Sequence, residues 1–292
     1  MPTMIQTETQ AKLRIVSLVQ QVKTALGIRT FRRYSGASDP VAVHLGIVIR
    51  VEPLVLDEGL YLENPPTIVL NSQIADPDRL SFTFFHEVLH HLIRQDDELY
   101  SFIDQHTPSA YDINDVVDKY CNLGAAEFLI PADDVGNAIK EHGFSIALVE
   151  SLEAEYPASK PAITIQLAEC ASHRCFLVIC ELGLPPRKRD QHPQLLNTFS
   201  STQHPYLYVA LSWASPAMTK YRIAKYTAIP SDHLIADCYA ARRLLKGRAN
   251  IPFVSGKPWS CECEAFYYKG KVYATFNVAP PPPPYGEQLL LF

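Results

Sequence analysis

The stretch His86-Glu87-Val88-Leu89-His90 constrains this chain more than any other. On an α-helix, residues four apart stand one turn above each other, so His86 and His90 can grip one cation from a single face. Glu87, rotated by about 100°, still reaches a water beside that cation. A divalent zinc ion lowers the pKa of such a water to about 7, and a nearby carboxylate can take its proton and later pass it to a leaving amine. The pattern therefore reads as the core of a zinc-dependent hydrolase, provided that the flanks make a helix. Asp76 is placed to cap it, with Pro77 at the first helical position. Leu80, Phe84, Phe85, Val88, Leu89 and Leu92 then give an apolar stripe at helical spacing. His91, about 100° around from His90, reads as a surface or second-shell residue.

Catalytic zinc usually takes three protein ligands and keeps a fourth position open. A third histidine six residues after His90 would complete one common pattern, but Asp96 stands there and Ile93 replaces the expected glycine. A second helix, from about Ile113 to Leu129, offers the carboxylates Asp115, Asp118 and Glu127. Asp118 and Asn122 share one face, and Glu127 falls roughly 180° away. Asp118, Asp115 and Asp96 all remain open on spacing alone.

The segment Asp118-Lys119-Tyr120-Cys121-Asn122-Leu123-Gly124-Ala125-Ala126-Glu127-Phe128-Leu129-Ile130-Pro131, following a His-Glu-x-x-His helix, resembles the ImmA/IrrE metallopeptidases. In that family the third ligand is usually a glutamate four residues before the asparagine, so the resemblance implies Asp118, one methylene shorter, with Asn122 behind it. Weaker metal retention is the expected result. Three further stretches are similar to the radiation-response branch (IrrE, or PprI): Thr67 to Ser72, Asp96 to Leu99 and Ile251 to Lys257. The resemblance implies an α+β fold with a zincin-like metallopeptidase domain over residues 1–135 and a helix-turn-helix-like helical module over 136–172. It further implies a GAF-like α/β sensor domain over 173–280, before a Pro-rich tail over 281–292.

With 292 residues, 47 % hydrophobic and 20 % charged, the chain has room for two or three cores and no disorder signature. No apolar run approaches the roughly 18 residues of a membrane span, and no signal peptide is visible, so a cytoplasmic protein is expected. Seven scattered cysteines suit reduced thiols. Cys261-Glu262-Cys263 alternates like a strand rather than a zinc knuckle. The net charge of −5, with no basic tract longer than Arg187-Lys188-Arg189, disfavours tight sequence-specific DNA binding. Tyr221, Arg222, Lys225, Tyr226, Arg242, Arg243 and Lys246 mix aromatic and basic groups. That mixture could stack and pair with single-stranded nucleic acid, although solvated faces commonly share it.

Periodicity predicts an opening helix over Thr9–Leu26, strands over Ile47–Val55 and Thr67–Leu70, and turns at Asp57-Glu58-Gly59 and Asn64-Pro65-Pro66. Short helices are expected over Asp133–His142, Ser145–Glu155 and Ala162–Ala171. Phe176–Cys180, Tyr206–Trp213, Tyr221–Tyr226, Glu264–Tyr268 and Lys271–Val278 read as strands, with one helix over Asp232–Lys246 and a hairpin turn at Lys269-Gly270.

The function expected is a zinc-dependent, site-specific endopeptidase that cuts a Cro/cI-type helix-turn-helix repressor in a DNA-damage or other stress response. His86, His90 and Asp118 would hold the metal (zinc by ligand type, manganese as the alternative), with Glu87 as base and then acid. A small molecule or single-stranded DNA acting through the C-terminal domain is the expected activator. The alternative is a stress-sensing regulator that binds a repressor or single-stranded nucleic acid without hydrolysis.

Overall fold

The structure is a computed structural model, and it describes residues 5–31, 34–107, 112–156, 158–184, 204–218, 221–254 and 258–278. Two compact units emerge, one from Met1–Gly143 with Leu148–Cys170 and one from Phe144–Ala147 with Ala171–Phe292. The Pro185–Pro193 loop, the Pro280–Pro284 spacer and the Leu289–Phe292 end lie outside the described residues.

In the first unit, α1 (Glu8–Leu26) starts at a capping box between Thr7 and Gln10 and stops at Gly27, whose φ of 65° closes the helix. Helix α2 (Tyr34–Leu45) carries Pro40 inside it and has no counterpart in the sequence reading. A three-stranded sheet follows in the order β1-β3-β2, with β1 (Val48–Glu52) parallel and β2 (Gly59–Leu62) antiparallel to β3 (Thr67–Asn71). The strand expected to reach Val55 ends at Glu52, and Gly59, expected in a turn, opens the edge strand β2.

Helix α3 (Pro77–Arg94) begins where its cap requires, the Asp76 carboxylate accepting from the amides of Asp78 and Arg79. Asp96 caps α4 (Asp97–His106), and Asp112 caps α5 (Ile113–Leu129). The apolar face of α3 is sealed by Phe84, Phe85, Val88 and Leu89, each wholly buried. Burying such a side chain contributes about 1.5–3 kcal/mol. Phe85 stacks on Phe128 of α5 at 4.5 Å between ring centroids, and Phe31 sits against both. Helices α3 and α5 approach closely because Gly124 lies under Leu89, where a Cβ would meet the Leu89 side chain at 2.5 Å.

Helices α6 (Ala132–His142), α7 (Leu148–Glu155) and α8 (Lys160–Cys170) belong to the same unit. Every residue of α8 from Ala162 to Ala168 is buried, so this helix presents no face to a DNA groove. Gln166 of α8 donates to the Glu127 carboxylate and to the Ile130 carbonyl, joining α8 to α5.

The second unit is a five-stranded antiparallel sheet, β5-β4-β8-β7-β6, with β4 at Cys175–Gly183, β5 at Tyr206–Ala214, β6 at Leu245–Asn250, β7 at Ser260–Tyr268 and β8 at Lys271–Asn277. Helix α9 (Leu234–Ala241) packs on β6, β7 and β8. Two expectations need correction here. Tyr221–Tyr226 is not a strand, and Tyr226 takes φ 67° in a turn. The helix expected to reach Lys246 stops at Ala241, where Arg242 turns left-handed at φ 50°, and Leu245–Asn250 pairs with β7 instead. Lys269 and Gly270 do form the hairpin turn, with φ 44° and 84°.

All seven cysteines are unpaired thiols, and Cys261 and Cys263 point into the core at strand spacing with Ala265. Among the described residues no helix is long and apolar enough to cross a membrane.

Candidate metal centre

Helix α3 sets His86 and His90 one turn apart, and their Nε2 atoms lie 3.2 Å from each other. From α5, Asp118 brings Oδ1 to 3.2 Å from His90 Nε2 and 3.7 Å from His86 Nε2. Two ligands each about 2.1 Å from a tetrahedral ion stand about 3.4 Å apart, so the three atoms lie where three corners of a small tetrahedron would. Two imidazoles and a carboxylate are a zinc donor set, and the residues present fit that ion. Half of the Asp118 side chain is exposed, which leaves this corner open to water.

Behind the site, His86 Nδ1 lies 3.0 Å from the Asn122 amide oxygen. Nδ1–H donating to that oxygen leaves the Nε2 lone pair directed at the other ligand atoms. Burial works against a charged His86, but the hydrogen bond to Asp118 and the charges of Glu87 and Asp118 outweigh it and raise its pKa. Asp118 moves the other way. Burial would raise its pKa, and the hydrogen bonds and charges of the two imidazoles overcome this and hold it well below the usual carboxylate range.

Glu87 is only 6 % exposed and lies between α3 and the edge strand β2. A Cβ at Gly59 would fall 2.7 Å from Glu87 Oε1 and 2.7 Å from Thr83 Cγ2, so only glycine lets β2 pass this close. Burial pushes the Glu87 pKa up; the neighbouring imidazoles pull it down, Asp118 and Asp57 push it up, and the balance is a raised value.

His91, read from the sequence as a residue at the surface or behind the ligands, is buried at 6 % exposure. Its Nδ1 lies 2.9 Å from the Tyr61 hydroxyl, tying α3 to β2, and burial lowers its pKa. The other carboxylates lie elsewhere. Asp96 caps α4 and pairs with Arg14 at 2.6 Å, Asp115 is exposed, and Glu127 is held on the far side of α5 by Gln20, Gln166 and the Ala132 amide.

One residue that sequence reasoning passed over belongs to the cluster. Ligand atoms of His86, His90 and Cys121 all lie within 4.8 Å of one another. The sequence signal was available, since Cys121 follows Asp118 by three residues and shares its helix face. Asp118 is the candidate we carry forward for the third position, because its Oδ1 lies 3.2 and 3.7 Å from the two imidazoles and its pKa is held low, whereas burial pushes the Cys121 thiol pKa well up.

Residues 42–167 match the model of the IrrE N-terminal-like domain. The chain is 26 % identical over 238 residues to the radiation response metalloprotease IrrE of Deinococcus radiodurans, covering 80 % of this chain and 70 % of the relative. It is 28 % identical over 232 residues to the radiation response metalloprotease IrrE of Deinococcus deserti, covering 79 % and 78 %. Among solved structures, a Mycobacterium tuberculosis transcriptional regulator shares the fold at a TM-score of 0.59 and 13 % identity, over 90 % of this chain and 76 % of that one. The metal-type cluster of His86, His90, Asp118 and Cys121 thus lies inside the segment, residues 42–167, that matches the IrrE N-terminal-like domain.

Proposed function

We propose that the chain is a zinc-dependent endopeptidase that cuts a Cro/cI-type repressor protein and so releases a stress response, with His86, His90 and Asp118 as ligands and Glu87 as base and then acid. The observation that carries this is the meeting of His86 Nε2, His90 Nε2 and Asp118 Oδ1 within 3.7 Å, with a buried Glu87 beside them. Zinc held there would supply Lewis acidity to the scissile carbonyl and to the attacking water. The Glu87 carboxylate takes a proton from that water and returns it to the departing amine, and its raised pKa suits both halves of the cycle. Asn122 keeps His86 in the tautomer that leaves Nε2 free.

Strand β2 forms one edge of its sheet, alongside Glu87, so an extended substrate segment can add to it as a further strand. The relatives' names, as radiation response metalloproteases, support the reaction class and the stress setting. We assign sensing to the second unit as a GAF-like domain, on the strength of a resemblance to those relatives that spans about 80 % of the chain.

The test is incubation of the zinc-loaded chain with purified helix-turn-helix repressors, especially any encoded beside it, with fragments read by mass spectrometry. A single discrete cut that disappears with a chelator and returns with zinc is expected. A stoichiometric complex without fragments would overturn the peptidase reading in favour of a binding regulator.

A further inference from the structure

Asp118 and Cys121 leave the same face of α5, one turn apart. The carboxylate is half exposed at the mouth of the cluster, and the thiol is 0 % exposed at its base. Elsewhere, Cys170 donates its S–H to the Ala132 carbonyl and Cys238 to that of Arg243, while Cys180, Cys261 and Cys263 lie in the apolar core of the second unit. Cys121 has no such acceptor among the described residues, yet its sulfur lies within 4.8 Å of the ligand nitrogens of His86 and His90.

We propose that Cys121 is a fourth protein ligand, so that the ion held by His86, His90 and Asp118 is closed by a thiolate in the resting chain. This rests on the metallopeptidase reading and changes one part of it. Three protein ligands leave an open, catalytic position, and four make the closed coordination of a structural site. The resting protein is therefore a latent form, and the thiolate must leave before a substrate carbonyl or water can enter.

The geometry needs a small adjustment. A sulfur at about 2.3 Å and a nitrogen at about 2.1 Å from a tetrahedral ion stand about 3.6 Å apart, so Sγ must close by about 1 Å from the outer limit of its present separation. Rotation about the single side-chain torsion of a cysteine supplies a movement of that size. Ligation breaks the S–H bond heterolytically; the sulfur pair goes to the ion and the proton to solvent. The burial that disfavours a free thiolate here does not oppose a metal-bound one, whose charge the cation neutralises. A soft sulfur ligand also offsets what the shortened carboxylate of Asp118 gives up in metal retention.

Cobalt(II) in place of zinc reports the ligand set directly. The full-length chain loaded with one equivalent of cobalt should show a sulfur-to-cobalt charge-transfer band in the near ultraviolet. Cys121→Ser and Cys121→Ala should lose the band while still binding one cobalt, and their zinc affinity should fall at least about tenfold. X-ray absorption of the zinc-loaded wild-type chain needs no variant and should find one sulfur at about 2.3 Å. Stoichiometric metal with nitrogen and oxygen neighbours only would overturn the fourth ligand and leave the peptidase reading standing. A band that persists in Cys121→Ser would assign the sulfur to another cysteine and also overturn it. Absence of any stoichiometric metal binding would overturn both.

Discussion

Glu87 combines near-complete burial with two imidazoles as neighbours, and burial outweighs them to raise its pKa above the ordinary carboxylate value. Replacing it by glutamine keeps the shape and removes the basicity. Glu87→Gln is expected to retain one zinc by elemental analysis while cleavage falls by about 10²–10⁴-fold; wild-type turnover in the variant would take Glu87 out of the mechanism. Asn122 acts one bond further out, through His86 Nδ1. For Asn122→Ala, competition against a chelator should report zinc affinity lower by about 10–100-fold, and an unchanged affinity would mean that the imidazole is oriented by something else. The two histidines and Glu87 could be read from the sequence because their juxtaposition is local to one helix. Gly59 could not, because it matters only through an approach made in three dimensions, a strand passing over Glu87, whereas Cys121 carried a local signal, one helical turn beyond Asp118, that was passed over.

Helix α5 is positioned by a glycine. Gly124 has the Leu89 side chain where its own Cβ would go, and Leu89 is wholly buried and cannot swing into solvent. Gly124→Ala is therefore expected to destabilise the fold by about 1–3 kcal/mol and to weaken zinc binding, because the shift displaces Asp118 from the histidines. Combining it with Leu89→Ala should cost less than the sum of the two single changes in urea unfolding; strict additivity would mean that the two residues do not compete for space. Elements with strong end signals were legible to the residue, as with Asp76-Pro77 opening α3 and Gly27 closing α1. Those that were missed lack such signals. Strand β2 is four residues long and starts in what reads as a turn, and α2 contains Pro40. The helical pattern beyond Asp232 gives way at Arg242 because pairing of Leu245–Asn250 with β7 completes the sheet, a gain that no local window registers.

On the scale of the whole chain, before any metal is bound, the seven unpaired thiols set an alkaline limit. Burial pushes all seven upward, Cys238 and Cys261 to about 11 and Cys170 and Cys175 to about 12. Each folded pKa thus exceeds the ordinary value of 9.0, and the folded state keeps protons that the unfolded chain gives up. The stability this contributes is full below pH 9 and is lost as pH rises through the folded values. Thermal unfolding under reducing conditions should show a midpoint that falls steadily from pH 9 to pH 11, and a flat profile would contradict the burial of these thiols. Five of the seven lie in the second unit, so that unit should lose more of its stability over the range.

The brevity of β2 has a consequence for whatever is cut. Four residues at about 3.3 Å each can align only a stub of main chain, and a helix laid against that rim has already spent its amides on itself. A helical target must first fray over a comparable length before it can be gripped. Turnover would then follow how often the target comes undone, and a mutation that loosens the target alone should speed its own destruction.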